Sequence, residues 1–233
     1  MAFNDQFNTI VRVNGIDIDD IKSSLFERYI THLLAYNVHT NLTAHRDVDV
    51  LLEKGVLDSL LFPELVSLMH GRWLDVGSGA GFPGVPLAIC YPQTSWTLLE
   101  PIQKKARFLM SLTQLSIPVT VISERAEIWI KHQRESFDGV ASRAVAPLNI
   151  LVELCLPFVN IGGVFLAYKG ESGDQELTDA THAIEQLGGV VETVCSQTLP
   201  RDGGHRQLII IRKRFATPHR YPRMFSHIKK SPL

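Results

Sequence analysis

Arg72-Trp73-Leu74-Asp75-Val76-Gly77-Ser78-Gly79-Ala80-Gly81-Phe82-Pro83-Gly84 joins an apolar run to a glycine-rich turn, and the fold is read from this stretch outward. Trp73, Leu74 and Val76 have the pattern of a buried strand that ends in a tight turn. Gly77, Gly79 and Gly81 carry no Cβ, so the backbone there can take positive φ and come close to a ligand. Pro83 and Pro86 fall where a helix would open, in a first turn that lacks amide partners anyway. Strand, glycine turn and helix start together form a cradle for a nucleotide cofactor.

The identity of that cofactor turns on Asp75. A literal G-x-G-x-x-G at Gly79, Gly81 and Gly84 fits a dinucleotide site, but Asp75 stands two residues before Gly77. A carboxylate at the mouth of the turn repels a pyrophosphate and suits a ligand with an ammonium group. The resulting Asp-x-Gly-x-Gly-x-Gly resembles the first motif of the S-adenosylmethionine-dependent methyltransferases. That resemblance implies that the turn with Gly77 and Gly79 holds the methionine half of the cofactor. It also implies that an acid closing the second strand binds the ribose hydroxyls, and Glu100 closes the run Trp96-Thr97-Leu98-Leu99-Glu100.

The 233 residues suit one α/β domain with an extension and allow a sizeable core. With 45% hydrophobic and 20% charged residues the chain is neither disordered nor fibrous. No apolar run has the length of a transmembrane helix, and Met1 to Asn8 is polar, without a signal-peptide core. Cys90, Cys155 and Cys195 lie far apart in apolar runs and read as buried free thiols, not as a metal or redox set. The expected location is the cytoplasm, with no membrane association, no metal and a monomeric state. The charge is uneven: Pro200 to Leu233 holds nine Lys/Arg against Asp202 alone, a net of +8, which leaves −9 for the preceding residues of a chain at −1. Such a segment fits a polyanion partner, or else is a solvated tail.

Residues 16 to 35 read as an amphipathic helix, and a second helical stretch from Asp47 to Met69 is interrupted near Gly55 and Pro63. From Arg72, strands near 73–77, 95–100, 119–123, 138–142 and 163–169 alternate with helices near 84–91, 103–115, 127–132, 148–156 and 174–187. Val190 to Thr198 and Gln207 to Arg212 follow with only the turn Pro200-Arg201-Asp202-Gly203-Gly204 between them, which predicts an antiparallel hairpin. The expected architecture is thus the class I S-adenosylmethionine-dependent methyltransferase fold: a Rossmann-like seven-stranded α/β sheet with a terminal antiparallel hairpin, preceded by an N-terminal helical cap. The divisions are residues 1–70 for the cap, 71–215 for the cofactor domain and 216–233 for a basic tail.

The chain is similar over nearly its whole length to the small-subunit ribosomal RNA guanine-N7 methyltransferases. The matching segments are Asn41-Leu42-Thr43, Leu57-Asp58-Ser59-Leu60, Asp75 to Pro86, Lys104 to Leu109, Arg125-Ala126-Glu127, Ser142 to Ala146, Lys169-Gly170 and Tyr221-Pro222-Arg223. It departs from the family's pattern at Gly55, where a histidine is usual, and at Ser226-His227-Ile228. The resemblance implies transfer of methyl from S-adenosylmethionine, leaving S-adenosylhomocysteine, to a guanine of 16S ribosomal RNA or of the ribosomal subunit. Gly77 and Phe82 would line the methionine half, Ala126 and Glu127 would border the adenine, and Arg143 would stand at the junction of cofactor and base.

Residue chemistry leaves several roles open. Arg143 can donate to guanine O6, anchor the cofactor carboxylate or a phosphate, or form a structural ion pair. Glu127 is also a plain helix-start acid. Lys169 either meets the RNA backbone or caps the sheet, and Arg220, Arg223, Lys229 and Lys230 are candidate RNA contacts in the tail. Trp129 has the choice of stacking on a base or packing. The alternative activity is a methyltransferase of the same fold acting on a small molecule or a protein.

Overall fold

The computed structural model describes Val11, residues 16–200 and residues 203–233. The polar stretch Met1 to Asn8 and the turn residues Arg201 and Asp202 lie outside the described residues.

Helix α1 (Asp20–Thr40) starts four residues later than its periodicity suggests because Asp19 caps it, its carboxylate taking the Lys22 amide at 2.8 Å. It ends where Asn41 turns left-handed. The next helical stretch is continuous through Gly55: α2 (Val48–Leu51) widens into a π-helical turn (Leu52–Leu57) and closes as α3 (Asp58–Leu60). The expected break at Gly55 is therefore corrected. Gly55 allows the Phe82 ring to lie against the widened turn, since a Cβ there would fall 2.5 Å from the ring. The chain does leave the helix around Pro63, and a short α4 (Leu65–Leu68) leads to the sheet.

The sheet strands are β1 (Arg72–Val76), β2 (Ser95–Leu99), β3 (Val119–Ile122), β4 (Phe137–Arg143), β5 (Val159–Lys169), β6 (Gly189–Leu199) and β7 (Gly204–Lys213). Their order is β3-β2-β1-β4-β5-β7-β6; the first five run parallel, and β7 runs against both β5 and β6. Between them lie α5 (Gly84–Cys90), α6 (Gln103–Ser111), α7 (Ala126–Gln133), α8 (Leu148–Cys155) and α9 (Gly173–Gln186), and α10 (Phe225–Lys230) closes the chain. Strand order reverses between β1 and β4, which opens a crevice beyond their carboxyl ends. The predicted terminal hairpin is present as β6 and β7.

Two apolar layers cover the sheet. On one face Trp73 and Trp96 stack at 5.3 Å, and the same core takes in Phe26, Tyr29 and Leu33 of α1. Cap and sheet therefore share a core, and each such side chain withdrawn from water contributes roughly 1.5–3 kcal/mol. On the other face Trp129 packs against Phe137 and Phe158, so packing is its role here. Residues 216–233 are docked on this second layer, with Tyr221 and Ile228 buried. Among the described residues no helix is long and apolar enough to cross a membrane.

Candidate functional site

The glycine turn is tied down from beneath and from the side. Gly77 donates to Leu99 O at 2.8 Å, which joins the turn to the end of β2. Glu100, almost fully buried, takes the Gly79 amide on Oε2 and the Ile102 amide on Oε1, both at 2.8 Å. Tyr29 of α1 donates to Ala80 O at 2.7 Å from the cap side. Gly79 has φ +59°, and a Cβ there would meet nothing closer than 3.9 Å, so its outer face is open to a ligand. The carboxyl ends of β3, β2 and β1 stand side by side, so Ala126 and Glu127 at the start of α7, Glu100 and the turn form one row. Glu127 is buried and lies 3.8 Å from the guanidinium of exposed Arg125.

Asp75 is not at the mouth of the turn. It is completely buried under it, where Oδ2 accepts the Gly84 amide at 3.0 Å and fixes the start of α5. Its strand is central in the sheet and covered on both faces, so the side chain points into packed structure. Burial pushes its carboxyl up to about 7 against the pull of the Gly84 amide, and Oδ1 has no hydrogen-bond partner among the described residues.

Beyond β4 and β5 a cleft of ≈ 620 Å³ opens between the sheet and the cap. Arg143, the last residue of β4, reaches into its wall. Nη1 donates to Lys54 O at 3.2 Å, Gly55 O at 3.4 Å and Asp58 Oδ2 at 3.0 Å, and the guanidinium lies 5.1 Å from the Phe82 ring centre. Asp58 also takes Arg206 Nε at 3.1 Å on its other oxygen. Val145 reaches over the turn, its Cγ2 2.5 Å from where a Gly77 Cβ would stand. Tyr168 donates to Ser59 O at 2.9 Å, so the cap is pinned to β5 as well.

Of the two roles open to Lys169, the structure has the cap of the sheet: it is buried, with Nζ 2.7 Å from Glu176 and 2.8 Å from Ala146 O. Arg223 is paired as well: its guanidinium grips fully buried Glu153, with Nη2 to Oε2 at 2.6 Å. Arg212 pairs with Glu192 and Lys213 with Glu135, so much of the segment's positive charge is spent on acids of the preceding chain. Arg220, Lys229 and Lys230 are exposed, and Arg220 lies over the Tyr221 ring.

The row and the cleft meet at Phe82, Arg143 and Val145. Sequence reasoning assigned no role to Asp58, Lys54 or Arg206. Asp58 lay inside a matching segment, and Arg206 was one cation among nine.

Comparison with known proteins was made against this geometry. The profile of the family GidB, rRNA small subunit methyltransferase G, matches residues 22–208. The chain is 41% identical over 233 residues to the Ribosomal RNA small subunit methyltransferase G of Geobacillus kaustophilus (strain HTA426), covering 98% of each chain. It is 41% identical over 224 residues to the protein of the same name from Staphylococcus epidermidis (strain ATCC 35984), covering 94% of this chain and 93% of that one. Among solved structures, a Klebsiella pneumoniae protein provisionally described as an O-methyltransferase superposes with a TM-score of 0.59 at 16% identity, over 90% of this chain and 97% of that one. At that identity the likeness concerns the fold alone, which is that of the class I methyltransferases.

Proposed function

The chain belongs to the rRNA small subunit methyltransferase G family, GidB, and we propose that it transfers methyl from S-adenosylmethionine to N7 of a guanine in 16S ribosomal RNA. It would act as a monomer in the cytoplasm. The observation that carries the reading is the meeting of an open glycine turn with a separate cleft at the switch point of the sheet.

The residues present fit the cofactor. The open face of Gly79, the Glu100 carboxylate beside it and the first turn of α7 with Ala126 and Glu127 would hold its methionine, ribose and adenine parts in turn. Asp75 serves from beneath by fixing Gly84. When bound, S-adenosylmethionine supplies a sulfonium methyl that a nitrogen lone pair can take directly.

Guanine N7 is such a lone pair, and no proton has to leave with the transfer. The cleft agrees with this: among the described residues its two carboxylates, Asp58 and Glu176, are both ion-paired, so neither of them stands free as a base. The chain's work is then to bring the base in line and exclude other geometries. Arg143 stacked on Phe82 at the junction can donate to guanine O6 or to the cofactor carboxylate, and in either case N7 stays free.

The test is transfer of labelled methyl from S-adenosylmethionine into small ribosomal subunits that lack this modification, with naked 16S RNA and Arg143→Ala alongside. Label in RNA, with chain cleavage at one methylated guanine, supports the reading. Bound cofactor with no label in any RNA overturns it in favour of a small-molecule or protein acceptor.

A further inference from the structure

Among the described residues six charged side chains line the cleft: Lys54, Asp58, Arg143, Lys169, Glu176 and Arg206. Lys169 and Glu176 close on each other at 2.7 Å. Among the described lining residues Asp58 is then the one anion left to face Arg143, Arg206 and Lys54, which leaves two positive charges in excess there; Glu171, outside the lining, has Oε1 near the Gly204 side of Arg206. His45 at the same rim is held below its ordinary range, by burial first and then by Lys54 and Arg143. Such a wall attracts an anion.

The two guanidinium groups are arranged for one. Asp58 holds Arg143 Nη1 on one oxygen and Arg206 Nε on the other, at 3.0 and 3.1 Å. Both arginines are mostly buried yet partly open, at 14% and 22% side-chain exposure. Arg143 makes its protein hydrogen bonds through Nη1 alone. Arg206 uses Nε and Nη1, the latter to His205 O. The other donor edges have no partner among the described residues. Two forks held by one buried carboxylate are already ordered, so an incoming phosphate would not have to immobilise them.

Arg206 reaches this end of the sheet because of strand direction. β7 pairs antiparallel with β5, Gln207 opposite Lys169, so β7 begins where the parallel strands finish. The tail starts from its other end: Lys213 Nζ donates to Leu156 O and reaches Glu135, at the start side of β4. Of the described cations in residues 200–233, Arg206 is the one that lines the cleft.

We propose that Arg206 contacts an RNA backbone phosphate beside the target base, and that Asp58 is a positioning residue that aligns Arg206 with Arg143 for that contact. The proposal rests on the RNA-methylating reading above and adds the residue that grips the RNA.

Three variants test it: Arg206→Gln, Arg206→Lys and Asp58→Asn, each assayed for methyl transfer to the RNA substrate across a salt series and for S-adenosylhomocysteine affinity by calorimetry. For Arg206→Gln, KM for RNA rises about tenfold or more with kcat nearly unchanged. Its log–log salt dependence becomes shallower by one phosphate, about 0.7–0.9. Arg206→Lys keeps the wild-type slope and recovers part of KM. Asp58→Asn raises KM but keeps the slope, because both cations remain. Cofactor affinity is unchanged in both Arg206 variants, which a general loss of structure would not allow. An Arg206→Gln slope equal to wild type overturns the phosphate contact, and an unchanged KM in folded Asp58→Asn overturns the positioning role. Wild-type protein that methylates no RNA overturns the underlying reading together with this one, whereas active wild type with an unaltered Arg206→Gln slope sinks this one alone.

Discussion

The Glu100 carboxylate holds the Gly79 amide at 2.8 Å, so the end of β2 fixes the turn that ends β1. Glu100→Ala removes an acceptor that serves two backbone amides in a buried place. Charge-assisted hydrogen bonds contribute about 1.5–3 kcal/mol each. S-adenosylhomocysteine affinity should fall by at least tenfold, with the larger part of the loss retained in Glu100→Gln because one amide keeps no acceptor. Calorimetry of both variants checks this; wild-type affinity in Glu100→Ala would separate Glu100 from the cofactor.

Gly77 has φ +76°, and Val145 Cγ2 stands 2.5 Å from the Cβ an alanine would bring. Two costs therefore meet in Gly77→Ala: a strained backbone, about 1 kcal/mol or more, and a clash with the loop after β4. Adding Val145→Ala removes only the second. The thermal midpoint should drop in the single variant and recover in part in the double, and a double-mutant cycle reads the coupling. Additive effects would mean that the loop does not rest on the turn.

Asp75 gives stability a particular pH slope. Its carboxyl is raised to about 7 in the folded chain, while in the unfolded chain it ionises near the ordinary value of about 3.9. Between those two values the folded state holds the proton that the unfolded state has released. Its contribution to stability is therefore complete below about pH 4 and is lost as pH rises through 7, by up to about 1.4 kcal/mol per pH unit. Asp75→Asn, which still offers Gly84 an oxygen, should flatten this part of the curve in cofactor-free protein. Denaturant titrations from pH 4 to pH 8 measure it, and parallel curves for the two proteins would refute the assignment.

Arg223→Ala strips Glu153 of its cation while leaving the acid fully buried. Breaking a fully buried pair costs about 3–5 kcal/mol; the cost here is smaller, because Arg223 is partly exposed and the residue-223 amide still donates to Glu153 Oε1 at 2.8 Å. The variant should lose stability, yet methylate RNA with the wild-type salt slope at temperatures where it is folded. A shallower slope would place Arg223 among the RNA contacts.

The glycine turn, the succession of strands and helices and the terminal hairpin were legible because their signals are local. Trp73 to Gly84 carries strand, turn and helix start within one window, and the hairpin shows as two β-rich runs with only a turn between. The helix through Gly55 was misread because what makes glycine fit there is the Phe82 ring, brought up from the distant glycine turn. The cleft was hidden for the same reason on a larger scale. Asp58 and Arg206 are separated by 148 positions, and no periodicity joins them. Counting charge in the last segment gave its sum and not its partners, which is why Arg223 looked available and Arg206 anonymous.

The reversed direction of β7 sorts the end of the chain by consequence. Its first residues share a wall with the cleft, and the segment after its last residues is stitched to the second core by Lys213, Tyr221 and Ile228. A change of charge at Arg206 would alter how the acceptor is held while the core stays whole. A change in the last twenty or so residues would be felt first as a change in how firmly the protein holds together. One strand's polarity thus separates the ground on which specificity can drift from the ground on which folding depends.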